Sequence, residues 1–140
     1  MCLNNWGGID HKVLEFHEYV NLFSGKSGSG KSTVMDAIQV ILYGSFSPSF
    51  LNKAADDAKN RRSVLSYLRG EQKDGSANRK DCDFCSVIAL EIEDTGTHII
   101  TCIGIAFEVR KSDSEIKKFV YFSHSGKMPE SEYLTEQGVC

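Results

Sequence analysis

The sequence lacks several features that would place the chain in a specialised class. It has no apolar run long enough to cross a bilayer and no secretory signal, so we expect a cytoplasmic protein without a membrane partner. Its five cysteines are odd in number and follow no framework spacing, which favours free thiols in a reducing compartment. The net charge of −3 gives no global argument for nucleic-acid binding, so any such surface must be local.

The sequence also lacks the residues that several enzyme classes need. Asn52-Lys53-Ala54-Ala55 resembles the guanine-reading N-K-x-D motif without its aspartate, and no D-x-x-G is present, so a GTPase is disfavoured. Cys82 and Cys85 have half of a zinc-site spacing, but no second pair follows. Val87 to Glu91 could be an apolar strand that ends in an acidic residue supporting Mg²⁺. However, the alternation of apolar with smaller or polar residues continues past Glu91 into Ile92, as in an ordinary half-buried strand. We therefore assign no catalytic carboxylate and no zinc site.

What the sequence does contain is a glycine-rich loop in a specific context. Gly25, Gly30, Lys31 and Ser32 fit the pattern G-x-x-x-x-G-K-[ST]. The apolar run Tyr19 to Phe23 before the loop predicts a buried strand, and the apolar residues after it recur at the 3.6-residue spacing of a helix. Strand, glycine loop and helix are the context that a phosphate-binding loop needs.

The chemistry of this loop follows from its backbone. Glycines at 25, 28 and 30 can take positive φ, so the amide N–H groups of residues 26–32 can surround a phosphate at the positive end of a helix that begins near Lys31. Lys31 is expected to reach the β- and γ-phosphates, and the Ser32 hydroxyl to bind Mg²⁺. The predicted nucleotide-binding residues are Gly25, Lys26, Ser27, Gly28, Ser29, Gly30, Lys31, Ser32 and Thr33.

The 140 residues predict a single α/β domain in which a P-loop core is joined to an antiparallel β-meander. The P-loop core covers about residues 1–70. It begins with extended residues 3–6, with Trp6 in the hydrophobic core, and a turn at Gly7-Gly8. The glycine loop and its helix follow, with Gly44 as the helix C-cap, and a short helix is expected over 61–69. A mobile surface loop is expected over 71–81. Residues 82–124 alternate with period two and predict three antiparallel strands, and a short C-terminal helix is expected at about 129–138.

A local positive cluster lies near the second predicted helix. It consists of Arg61, Arg62, Arg69, Arg79 and Lys80. Such charges usually form a solvated surface, and the functional alternative is contact with a phosphate of a nucleotide or of DNA. Arg62 and Arg69 are the candidates for that contact.

Three segments together resemble a known family. N-N-W-G-G at 4–8, F-S-G-K-S-G-S-G-K-S-T-V-M-D-A-I at 23–38 and L-Y-G at 42–44 resemble the N-terminal head segment of SMC-like, ABC-type ATPases. The run R-x-x-x-S-Y-L-R-G at 62–70 looks like the MukB-like branch, closest to JetC, the SMC-like subunit of Wadjet plasmid-defence systems. The likeness covers about residues 3–70. The chain departs from it at Ser27, where asparagine is common, and at Trp6-Gly7-Gly8, where many relatives have an arginine.

The resemblance implies the N-terminal lobe of a head that a long coiled coil divides in sequence. The ABC signature and the acidic Walker B strand would lie in the other lobe, so the present chain alone is expected to hydrolyse ATP poorly. The residues from Gly25 to Thr33 would bind ATP and Mg²⁺, with Ser32 as the metal ligand. The complete protein would pair two heads as a homodimer, work with accessory subunits and act on DNA.

Two other functions are compatible with a phosphate loop. One is a small P-loop kinase, although such kinases alternate strands and helices after the loop, whereas this chain continues into a meander. The other is a non-catalytic interaction module that is gated by a nucleotide.

Overall fold

The computed structural model describes residues 1–46, 51, 63–72 and 75–128 of the chain. Within them, five strands form one sheet and two helices pack against it. The strands are β1 (Cys2–Trp6), β2 (Ile9–Val13), β3 (Phe84–Glu93), β4 (Ile100–Val109) and β5 (Lys118–Ser125), and the helices are α1 (Lys31–Tyr43) and α2 (Val64–Arg69). No helix of this described part is long and apolar enough to cross a membrane.

The sheet has the order β2-β1-β3-β4-β5, and every neighbouring pair is antiparallel. The predicted three-strand meander is confirmed as β3, β4 and β5, although β5 begins at Lys118 and continues to Ser125. The N-terminal hairpin does not form a separate core, because β1 pairs with β3 and joins the meander. The α/β expectation is therefore confirmed only in part, since none of the described strand pairs is parallel.

One residue of β1 adapts this strand to its two neighbours. Asn5 has a positive φ of 54°, a conformation that asparagine tolerates better than most residues. Its side-chain amide donates a hydrogen bond to the Cys85 carbonyl at 2.7 Å. Asn5 and its neighbour Asn4 lie between Leu3 and Trp6, whose side chains are both fully buried in the main core.

The main core lies between the sheet and the two helices. α1 contributes four buried apolar side chains at helical spacing and packs mainly over β3, and α2 contributes four more and packs over β1. Gly44, at φ 60°, ends α1 as its C-cap, as the sequence predicted. The predicted second helix is confirmed from Val64, with Ser63 as its N-cap; residues 61 and 62 lie outside the described residues.

The predicted buried strand before the glycine loop is wrong. No helix or strand is formed between residues 14 and 30, and Tyr19, Val20 and Leu22 are 85%, 77% and 88% exposed. A strand needs a neighbour to accept its backbone hydrogen bonds, and no described strand runs beside this segment. Apart from Phe23, which packs partly against the main core, its apolar side chains therefore face solvent.

The segment after α2 differs from the predicted surface loop. Glu71 pairs with Ala77 in an antiparallel bridge, and the Gln72 amide donates to the Ser76 carbonyl at 2.7 Å. Arg79, predicted to be in an exposed positive cluster, is instead buried. The predicted helix at 129–138 lies outside the described residues.

The cysteines follow the prediction only in part. Cys2 and Cys102 are buried on the sheet face away from the main core, Cys82 is exposed, and none of these three is in a disulfide. Cys85 is disulfide-bonded, so the prediction of free thiols is wrong for this residue. An odd count without framework spacing does not specify which cysteines pair.

Candidate nucleotide-binding site

The glycine loop has the backbone conformation that a phosphate-binding loop requires. Gly25, Gly28 and Gly30 have φ values of 151°, 83° and 88°, all in the positive region that side chains disfavour. A Cβ atom at Gly28 or Gly30 would meet no atom within 4 Å, so the space beside these glycines is open. An oxyanion can therefore approach the backbone closely.

The N-terminus of α1 faces this loop without an internal cap. Its N-cap is Gly30, no side chain caps it, and its first turn carries no acidic residue. The first amide groups of a helix have no intrahelical acceptor, and the helix dipole favours negative charge there. This end of α1 therefore fits a phosphate group.

Lys31, the first residue of α1, reaches back over the loop. Its Nζ donates to the carbonyls of Gly25 at 2.7 Å and Lys26 at 2.9 Å, and to the Ser29 hydroxyl at 3.3 Å. These contacts hold the ammonium group inside the curve of the loop, where it would meet the phosphates. Ser32, the next residue, is exposed at the same end of the helix, as a ligand for Mg²⁺ needs to be.

The loop forms one wall of a cleft of about 690 Å³. Gly7, Gly8 and Ile9 of the β1–β2 turn contribute to the lining, together with Tyr67, Glu71 and Gln72 from α2 and the segment after it. Residues 27–33 line the remainder. Tyr67, Glu71 and Gln72 were not predicted as part of the site, because short sequence patterns do not show which distant residues share a cavity.

A buried cluster joins the walls of the cleft. The indole N–H of Trp6 donates to the Thr33 carbonyl at 2.8 Å, and its ring stacks on Tyr67 with centroids 5.2 Å apart. The Tyr67 hydroxyl donates to the carboxylate of Asp36, which is itself buried. The expectation that Trp6 is a core residue is confirmed. Through this cluster, α2 and β1 fix the position of the first turns of α1.

Arg79 fixes the β1–β2 turn from the other side. Its guanidinium donates to the carbonyls of Gly7 and Leu68, the latter at 2.9 Å, and pairs with Asp10 at 2.8 Å. The Gly7 amide in turn donates to the Tyr67 carbonyl at 2.9 Å. Burial lowers the pKa of Arg79, while the Asp10 carboxylate opposes this effect. Arg79 therefore supports the wall of the cleft and does not extend into solvent.

Arg69, one of the two candidates for phosphate or DNA contact, is engaged with backbone groups. Its guanidinium donates to the carbonyls of Lys111 at 3.1 Å and Asp113 at 2.6 Å. These contacts tie the end of α2 to the β4–β5 turn. Arg62 lies outside the described residues, so a contact of either arginine with phosphate stays a prediction.

No carboxylate that could activate water is assigned from the described residues. Glu91, at the end of the run that could be mistaken for a Walker B strand, accepts a hydrogen bond from the Met128 amide at 2.6 Å. It lies in β3 and lines a different cavity from the one at the glycine loop. The half-buried strand that the alternation predicted is wrong for most of β3, because residues 84–89 are buried on both faces of the sheet and the strand is exposed only from Glu91 onward.

Comparisons with known proteins agree with this geometry. Residues 1–58 match the family described as the P-loop containing region of AAA domain. The first 58 residues are therefore similar to a P-loop region. Over 72 residues it is 33% identical to the C component of the nuclease SbcCD from Staphylococcus haemolyticus (strain JCSC1435). That match takes in 49% of this chain and 6% of the relative, so the chain spans a small part of the relative's length.

These two matches support a nucleotide-binding protein of the SMC-like P-loop ATPase type. They support the assignment of the P-loop and of the general class of ATPase. They do not distinguish the MukB-like branch from other SMC-like ATPases.

Proposed function

We propose that this chain is the ATP-binding N-terminal lobe of an SMC-like ATPase head. The observation that carries the proposal is the set of left-handed glycines that lead into the uncapped N-terminus of α1, with Lys31 inside the loop. In the complete protein, ATP binding and hydrolysis would be coupled to the handling of DNA, in chromosome organisation or plasmid defence. The MukB-like branch, closest to JetC, is the relationship that the motifs favour.

The residues of the loop have separable roles in this proposal. The amide groups of residues 26–32 and the positive end of α1 would bind the phosphates. Lys31 would supply a charge-assisted hydrogen bond to the β- and γ-phosphates, and Ser32 would bind Mg²⁺, which neutralises phosphate charge when it is bound. Trp6 and Tyr67 keep α1 in the orientation in which its amides face the cleft.

Two apolar surfaces beside the loop support the assignment as one lobe of a larger head. Tyr19, Val20 and Leu22 precede the loop and are exposed, and Met35 and Leu42 expose 45% and 57% on the outer side of α1. Several large apolar side chains exposed close together in sequence fit a site of contact with another segment or protein. A second lobe that pairs with the pre-loop segment and covers α1 would bury these residues.

The partners in this proposal follow from the same class. They are ATP, DNA in the full-length complex, a second ATPase head in a homodimer, and accessory subunits in the cytoplasm. The carboxylate that orients the attacking water would come from the second lobe. The chain alone is therefore proposed to bind nucleotide and not to turn it over.

The test is the affinity for Mg-ATP of Lys31→Ala, measured by titration calorimetry. The variant should bind more weakly by about 1.5–3 kcal/mol, the scale of a hydrogen bond to a charged group. Lys12→Ala is the control, because it removes the same charge from an exposed position in β2 that does not line the cleft. Equal affinities of the wild type and Lys31→Ala would refute nucleotide binding at this loop.

A further inference from the structure

The cleft contains one acidic residue whose role the phosphate loop does not explain. Glu71 is half-buried and lines the same cleft as the glycine loop. A carboxylate close to a triphosphate would be repelled by it, so its place in a phosphate site needs a different partner. Among the described residues, no group donates a hydrogen bond to its side chain.

Backbone hydrogen bonds hold Glu71 in place, so its side chain starts from a fixed position in the cleft wall. Its amide donates to the Ser66 carbonyl at 3.0 Å, and the residue pairs with Ala77. Just before it, Gly70 takes a φ of 65°, and a Cβ there would lie 2.7 Å from the Gly7 carbonyl. The Glu71 segment and the β1–β2 turn are therefore packed in direct contact as one wall.

The position of this wall assigns it to the nucleoside. The phosphates of a bound nucleotide would lie at the end of the cleft formed by residues 27–33, which leaves the space beside Gly7, Gly8 and Glu71 for the sugar and the base. Gly8 does not have a positive φ, and a Cβ there would meet no atom within 4 Å. Its missing side chain leaves this end of the cleft open.

We propose that Glu71 is a specificity-determining residue that accepts hydrogen bonds from the ribose hydroxyls of the bound nucleotide. The vicinal 2′- and 3′-hydroxyls are two adjacent donors, and a carboxylate has acceptor sites for both. An acidic residue has this function toward ribose in other nucleotide-binding folds. The proposal rests on the proposed function, because it needs a nucleotide in the cleft.

The first experiment separates the nucleoside end from the phosphate end. Gly8→Leu places a side chain in the open space without backbone strain, and it should weaken ATP binding about tenfold or more. Its affinity for inorganic tripolyphosphate should stay at the wild-type value. Gly96→Leu, in a turn that does not line the cleft, is the control and should change neither. Equal weakening of both ligands by Gly8→Leu would overturn the placement of the nucleoside.

The second experiment tests the carboxylate. The wild-type protein should bind 2′-deoxy-ATP and 3′-deoxy-ATP about tenfold more weakly than ATP, because each lacks one donor to a charged acceptor. In Glu71→Gln this discrimination should fall to about threefold or less, while Glu115→Gln, an exposed glutamate in the β4–β5 turn, should keep it. If Glu71→Gln keeps the full discrimination, or instead raises the Mg²⁺ concentration needed for ATP binding, the proposal is overturned.

The two proposals fail in distinguishable ways. If Lys31→Ala weakens both ATP and tripolyphosphate while Glu71→Gln changes no ribose preference, the phosphate site is correct and the role of Glu71 is wrong. If Lys31→Ala affects neither ligand, the proposed function is wrong.

Discussion

Replacing Arg79 by methionine should destabilise the fold, although the sequence places this arginine in a polar, glycine-containing segment. Arg79→Met keeps a long unbranched side chain and removes the guanidinium. The carbonyls of Gly7 and Leu68 then lose their donor inside the protein. The third partner, the Asp10 carboxylate, loses a cation but remains in water.

The magnitude follows from the burial of these partners. Each buried carbonyl left without a donor costs about 1–3 kcal/mol, so the two together cost about 2–6 kcal/mol. The ion pair adds little, about 0–1 kcal/mol, because the Asp10 side chain is 83% exposed. The substitution also removes the unfavourable burial of the guanidinium charge, the same effect that lowers the pKa of Arg79, and this offsets part of the lost stability. We expect a net loss of about 2 kcal/mol or more.

The assay is urea unfolding followed by the fluorescence of Trp6, the single tryptophan, which is fully buried. Asp10→Asn is the matched control, because it removes the ion pair and leaves both carbonyl contacts; it should cost less than about 1 kcal/mol. If Arg79→Met costs no more than Asp10→Asn, the two carbonyl contacts do not stabilise the turn and the reasoning is wrong.

Two further predictions concern other buried contacts. Tyr67→Phe keeps the stack on Trp6 and removes the hydroxyl that donates to Asp36, so unfolding experiments should show a loss of about 1–3 kcal/mol; a loss below about 0.5 kcal/mol would contradict this. The backbone amide of Arg110, followed by Lys117, lowers the pKa of Asp113. The stabilisation from the ionised Asp113 should therefore be present at pH 7 and be lost as the pH falls below about 3.8 through the lowered pKa of the folded state. Asp113→Asn should accordingly be less stable than the wild type at pH 7 but not in strong acid. An equal difference at both pH values would contradict that linkage.

The parts of the structure that the sequence predicted well are those set by local patterns. The glycine loop, α1 with its C-cap at Gly44, the short α2 and the meander each follow from residue spacing or from turn residues within one segment. These signals depend on φ preferences and on periods of two or 3.6 residues, which the chain carries locally. Their boundaries shifted by a few residues, as at the start of β5.

The contacts that complete the cleft join residues far apart in sequence, and they were not predicted. Arg79 and Gly7 are 72 positions apart, and Tyr67 and Asp36 are 31 apart. An arginine that caps a turn and an arginine on a surface have the same local sequence context. Only the fold determines which of them is buried, so the charge pattern suggested a solvated cluster where Arg79 is a buried donor.

The pre-loop segment shows the opposite case, in which the sequence predicts burial that the described residues do not provide. Full burial of side chains such as Val20 and Leu22 stabilises a protein by about 1.5–3 kcal/mol each, an appreciable part of a domain's total stability of about 5–15 kcal/mol. Both are more than three-quarters exposed here, so the chain alone does not gain that stabilisation. An apolar run beside a phosphate loop makes physical sense when another segment pairs with it. The difference between the sequence pattern and the observed exposure is therefore itself an argument for the second lobe in our proposal.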